Sequence, residues 1–188
     1  VVMACLLLPA GAIGDRYGRR GALVLGLAIF AVASVIPLLR SDPTALIAGR
    51  AAAGLGAAFI MPATLSLITS TYPPDRRTRA VGIWAGIAGC GGILGMLGSG
   101  VLLHFWSWKS IFWGFLVAAV VLAAIGLTIA TSRDPESKPI DWPGAAVIAA
   151  AVAVFVVGIL EAPARGWSDP VVYGCLIAGV VLAGLFGL

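Results

Sequence analysis

Charge and histidine are what this chain has least of. Asp, Glu, Lys and Arg make up 11% of its 188 residues, and His104 is the single histidine. A soluble domain carries about 25% charged residues. So few solvated side chains cannot cover a water-facing surface of this size, and a disordered chain needs the opposite balance. The three cysteines, Cys5, Cys90 and Cys175, stand alone in apolar stretches with no Cys-x-x-Cys pair. With one histidine beside them, no metal site, disulfide framework or other cofactor is expected. No stretch alternates polar and apolar residues, which excludes a lipid-facing barrel of strands.

Apolar residues fill the space left. Hydrophobic types are 61% of the chain and glycine adds 25 residues. Mean hydropathy is +1.07. The lipid bilayer is therefore the expected solvent, with the chain a multi-pass protein of the cell membrane. Net charge is +4. The basic residues sit in short clusters between apolar runs, which is how membrane topology is set, so no nucleic-acid partner is expected.

Charges and prolines divide the chain into seven apolar segments: Val1–Ile13, Gly21–Leu39, Thr44–Ser70, Ala80–Leu103, Ile111–Thr131, Gly144–Leu160 and Val171–Leu188. A spanning helix needs about 17–25 apolar residues. The second to sixth qualify. The first is too short and reads as the end of a helix begun upstream, and the seventh reads as clipped. The chain is thus expected to be a piece of a longer protein. Arg16, Arg19, Arg20, Arg76, Arg77, Arg79, Arg133 and Lys138 fall in the odd connections, against Arg40, Lys109 and Arg165 in the even ones. The odd connections are expected in the cytoplasm. Phe105, Trp106, Trp108, Phe112 and Trp113 gather at one interface, where amphipathic rings belong.

Three places carry more than topology. The first connection reads Gly11-Ala12-Ile13-Gly14-Asp15-Arg16-Tyr17-Gly18-Arg19-Arg20. Gly11 permits close helix approach, Asp15 is expected to end the first helix, Gly18 allows a tight turn, and the arginines hold the loop at the cytoplasmic face. Arg50 lies inside the third span, about 9 Å from Thr44 at ~1.5 Å per residue. An intramembrane arginine is costly unless it snorkels or faces the bundle interior. In the fourth span Gly91, Gly95 and Ser99 recur at every fourth residue, with Gly100 beside them, and offer a smooth face for close packing.

The first run matches, at every fixed position, the signature loop G-x-x-x-D-R-x-G-R-R of the major facilitator superfamily. Arg50 with Gly54 resembles the R-x-x-Q-G motif of the family's fourth helix, with Ala53 in place of Gln. Gly91, Gly95 and Gly100 resemble the antiporter motif G-x-x-x-G-P-x-x-G-G, with Met96 in place of Pro and Ser99 in place of the first glycine of the final pair. The flanks Asp141-Trp142-Pro143-Gly144 and Glu161 to Trp167 resemble those of an extra helix in the 14-span drug:proton antiporters. The resemblance covers the whole chain.

It implies an all-α integral membrane fold, a partial helical bundle from the end of the second family helix into the eighth. Residues 1–131 would belong to the N-terminal six-helix half, 132–143 to a cytoplasmic connection, and 144–188 to two extra central helices, the last truncated. The implied function is proton-coupled export of amphipathic or cationic organic compounds by alternating access, with no enzymatic step. Protons, small organic substrates and the missing helices of the same transporter would be the partners. Asp15 and its arginines would act as a latch between halves, and Arg50 would tune a proton site. The proton-carrying carboxylate would lie upstream of Val1. A sugar or metabolite carrier of the same superfamily, or a non-functional truncated membrane protein, remains as an alternative. A membrane enzyme would need paired carboxylates or a histidine cluster at membrane depth, and the sequence has neither.

Overall fold

A computed structural model describes residues 1–130 and 141–186. Among the described residues there are seven helices and no strand: α1 (Val2–Tyr17), α2 (Arg19–Leu39), α3 (Pro43–Thr71), α4 (Pro74–Phe105), α5 (Lys109–Gly126), α6 (Trp142–Arg165) and α7 (Pro170–Phe186). Five of them, α2 to α6, are long and apolar enough to cross a membrane, as the sequence predicts. Arg133 and Lys138, with most of the connection 132–143, lie outside the described residues, as does Leu188.

Local chemistry sets the helix ends, which is why several differ from the apolar runs. Gly18 alone separates α1 from α2, at φ 122°, where a Cβ is strained. Asp15 therefore does not end the first helix as expected. Its carboxylate is held by other side chains, and the helix runs on to Tyr17. The Asp42 carboxylate accepts from the Ala45 N–H and Pro43 takes the first turn, so α3 starts there. Asp141 caps α6 in the same way through Gly144, and Gly166 at φ 90° ends it. The sixth helix thus extends past its apolar run to include Glu161 and Arg165, paired at 2.7 Å one turn apart. The fifth stops earlier than expected, at Gly126.

Helices in lipid gain little from hydrophobic contact with one another, so close fit decides which pairs meet. α2 packs between α3 and α5, α1 lies on α3, and α6 touches α1 and pairs with α7. The centre is Ala22, Leu23, Leu27, Ala63 and Leu67. At the α2–α3 crossing the backbones nearly touch. A Cβ on Gly26 would stand 2.8 Å from the Gly56 carbonyl oxygen, and one on Gly56 would stand 2.6 Å from that of Gly26. α4 is different. No residue of it is buried, and its contacts with α3 and α5 are slight.

Two long-range hydrogen bonds sort the connections into two ends. Ser66, near the end of α3, donates to Asp15 at the end of α1. Lys109, at the start of α5, donates to the Leu38 carbonyl at the end of α2.

Candidate functional site

The signature loop folds into a small polar knot. Asp15 Oδ1 accepts from Arg19 Nε at 2.9 Å and from Ser66 Oγ at 2.7 Å. The first contact spans one helical turn across Gly18, and the second ties α1 to α3. Arg16 stacks its guanidinium 5.7 Å from the centre of the Tyr17 ring. Gly11 does allow a close approach: a Cβ there would meet Pro62 of α3 at 3.3 Å. Gly14 is buried, and a Cβ on it would meet Ala22 at 3.1 Å. Arg20 is half-buried beside the turn. The structure thus brings Gly11, Asp15, Arg16, Gly18, Arg19 and Arg20 into one place at the junction of α1, α2 and α3. Ser66 completes it and was not anticipated, because a single serine in an apolar span carries no spacing signal.

Arg50 lines a cleft between α3, α4 and α5, with a volume of about 730 Å³. Ser99 and Leu102 of α4 and Trp108, Phe112 and Phe115 around the start of α5 form much of the remaining wall. The rings meet edge to face: Trp108 and Phe112 at 5.8 Å, Phe112 and Phe115 at 6.3 Å. Arg50 is exposed to this space, and no carboxylate of the described residues pairs with it.

The glycine row of α4 behaves unlike the signature loop. A Cβ added at Gly91, Gly95 or Gly100 would meet nothing within 4 Å. Among the described residues this face has no packing partner, although Gly95 borders the Arg50 cleft. A close approach of two backbones is found at Gly26 and Gly56, which lie in separate runs with no shared motif. No group of three or more potential metal ligands occurs among the described residues.

Known proteins resemble the chain throughout. The profile of the Major Facilitator Superfamily matches residues 1–188. The tetracenomycin C resistance and export protein of Streptomyces glaucescens is 35% identical over 185 residues, 96% of this chain and 34% of that protein. The methylenomycin A resistance protein of Bacillus subtilis is 34% identical over 191 residues, 99% of this chain and 40% of that protein. A methyl viologen resistance protein of Salmonella typhimurium is 33% identical over 190 residues, 99% of this chain and 38% of that protein. The chain spans little more than a third of the length of these curated relatives.

Proposed function

The chain belongs to the major facilitator superfamily, a family of multi-pass membrane transporters, and from that premise we propose that it forms part of a proton-coupled exporter of amphipathic organic compounds. The observation that carries this reading is the match of nearly the whole chain to proteins named for resistance and export. In this reading the work of the protein is binding and translocation by alternating access, with two helical halves rocking about a shared site. Residues 1–131 supply helices of one half, and 144–188 belong to a pair of added central helices. The remaining helices of the transporter are the partners of the exposed α4 face.

The geometry supports a role for two places in the chain. The Asp15–Arg19–Ser66 knot, a polar lock at one end of the bundle, is a latch that the other half engages. Arg50 opens on a cleft with no carboxylate of its own, so it responds to charge that arrives from outside this chain: a proton site on a neighbouring helix, or the transported compound. The complete transporter, reconstituted in vesicles with an imposed proton gradient, tests this. Export should require the gradient. Arg50→Ala should abolish export at normal protein level, and Arg50→Lys should recover only part, because a single ammonium lacks the forked geometry. Gradient-independent movement, or unchanged export in Arg50→Ala, overturns the reading.

A further inference from the structure

We propose that Pro62 is a positioning residue of the Asp15 latch: its ring, seated on Gly11, fixes the register in which α3 brings Ser66 to the Asp15 carboxylate. The proposal rests on the reading of that knot as a latch and names what aligns it.

Register comes first. α1 meets α3 at three levels. A Cβ on Gly54 would stand 3.3 Å from the Met3 amide nitrogen, and a Cβ on Gly11 would stand 3.3 Å from Pro62 Cβ. Ser66 Oγ donates to Asp15 Oδ1 at 2.7 Å. In all three pairs the partners are 51 residues apart. The levels follow one another by eight and then four residues on both helices, so each helix uses a single face. The two helices therefore run side by side in the same direction at one offset. The slot glycine belongs to α3 at the first level and to α1 at the second, and each admits the other helix closely.

Pro62 contributes two things at the second level. It has no N–H to give the Ala58 carbonyl, so α3 can bend there. Its ring fills the space that Gly11 leaves, with Cγ 3.8 Å from where a Cβ on that glycine would stand. Bend and seat both act one turn before Ser66. A neighbouring face of the same segment is committed to α2, because Ala63 and Leu67 are buried with Leu23 and Leu27. The other hydroxyls beyond Pro62 make the contrast. Thr64, Thr69, Ser70 and Thr71 donate to carbonyls within α3, the ordinary arrangement for such residues in a helix. Ser66 instead donates across to α1. A slip of about 0.5 Å would carry that bond past the usual O–H···O range.

Amide hydrogen exchange at residues 66–71 of the complete transporter, held in nanodiscs, reads how often the end of α3 opens. Ser66→Ala should speed this exchange about fivefold, the effect of one net hydrogen bond. In a Pro62→Ala background the same change should act less than about twofold, because the hydroxyl no longer meets Asp15. Alanine is a good helix former, so the background itself should fold. Gly11→Ala pushes the ring off its seat and should have the same result, and it stands in if Pro62→Ala does not fold. A proline that only packs would leave the Ser66→Ala step intact, since independent sites add. A step that survives both backgrounds, or no step in the parent, overturns the proposal. Gradient-driven export by Pro62→Ala, Ser66→Ala and the double variant should slow by one shared factor, and export at the parent rate in Pro62→Ala also overturns it. Coupled exchange in a protein that does not export leaves Pro62 aligning the knot and removes the exporter reading. Gradient-driven export with uncoupled exchange does the reverse.

Discussion

Asp15 shows how a motif residue acquires a role from a partner the motif does not contain. Burial of its carboxyl acts to raise its pKa. The Ser66 hydroxyl, then the hydrogen bond and charge of Arg19, act in the other direction and hold it below the ordinary carboxylate value. Because the folded pKa is depressed, the contribution to stability is present at neutral pH and is lost as pH falls through the depressed value. Ser66→Ala should cost about 1 kcal/mol at neutral pH, below the usual range for a hydrogen bond to a charged group, since Asp15 is half-exposed. The gap between Ser66→Ala and the parent should close in acid, and Asp15→Asn should show neither the bond strength nor the acid dependence. Unfolding in detergent at a series of pH values measures this, and a gap that stays constant into acid would sink the assignment. Asp15, Gly18 and Arg19 were legible in the sequence because they lie within one short run. Ser66 was not, because it comes from a helix 51 residues away and helix pairing is not written in local spacing.

Elements pair where glycine lets two backbones meet, and α2 and α4 make the contrast. The sequence marks α4 as the glycine-rich packing helix, and it marks nothing about Gly26 with Gly56. The structure places the tight crossing at Gly26 and Gly56 and leaves the α4 row open. Gly56→Ala forces its Cβ against the backbone of α2, which no rotamer change relieves. It should cost about 1–3 kcal/mol, the usual range for overpacking. Gly92→Ala meets nothing, so it should be neutral or stabilise by up to ~1 kcal/mol through helix propensity. Thermal unfolding of the two variants in one detergent compares them, and equal losses would mean that α4 is packed against other helices as tightly as α2 is against α3. The helices themselves were legible from apolar run length, because the bilayer fixes that length. Their ends were not, because Gly18, Asp42, Asp141 and Gly166 set them by backbone conformation and capping.

Across the whole molecule, side chains and topology agree on two ends. The Ser66–Asp15 bond puts the α1–α2 and α3–α4 connections together, and with them Arg16, Arg19, Arg20, Arg76, Arg77 and Arg79. The Lys109–Leu38 bond puts the α2–α3 and α4–α5 connections together at the other end, where Arg40 and Lys109 are the cations. Neither bond was used to count charges, so the sorting is independent of the sequence argument. An excess of Lys and Arg marks the cytoplasmic side. The end holding the signature loop should therefore face the cytoplasm, and the end holding Trp108 and Lys109 should face the opposite side. Single cysteines test this in a background with Cys5, Cys90 and Cys175 replaced by alanine. Ser41→Cys and Ser107→Cys lie in the even connections, and Thr78→Cys lies at the exposed start of α4. A membrane-impermeant maleimide applied to intact cells should label the first two and spare the third, and lysis should expose the third. Labelling of Thr78→Cys from outside would reverse the orientation, and labelling of all three would mean that the helices do not alternate across the bilayer.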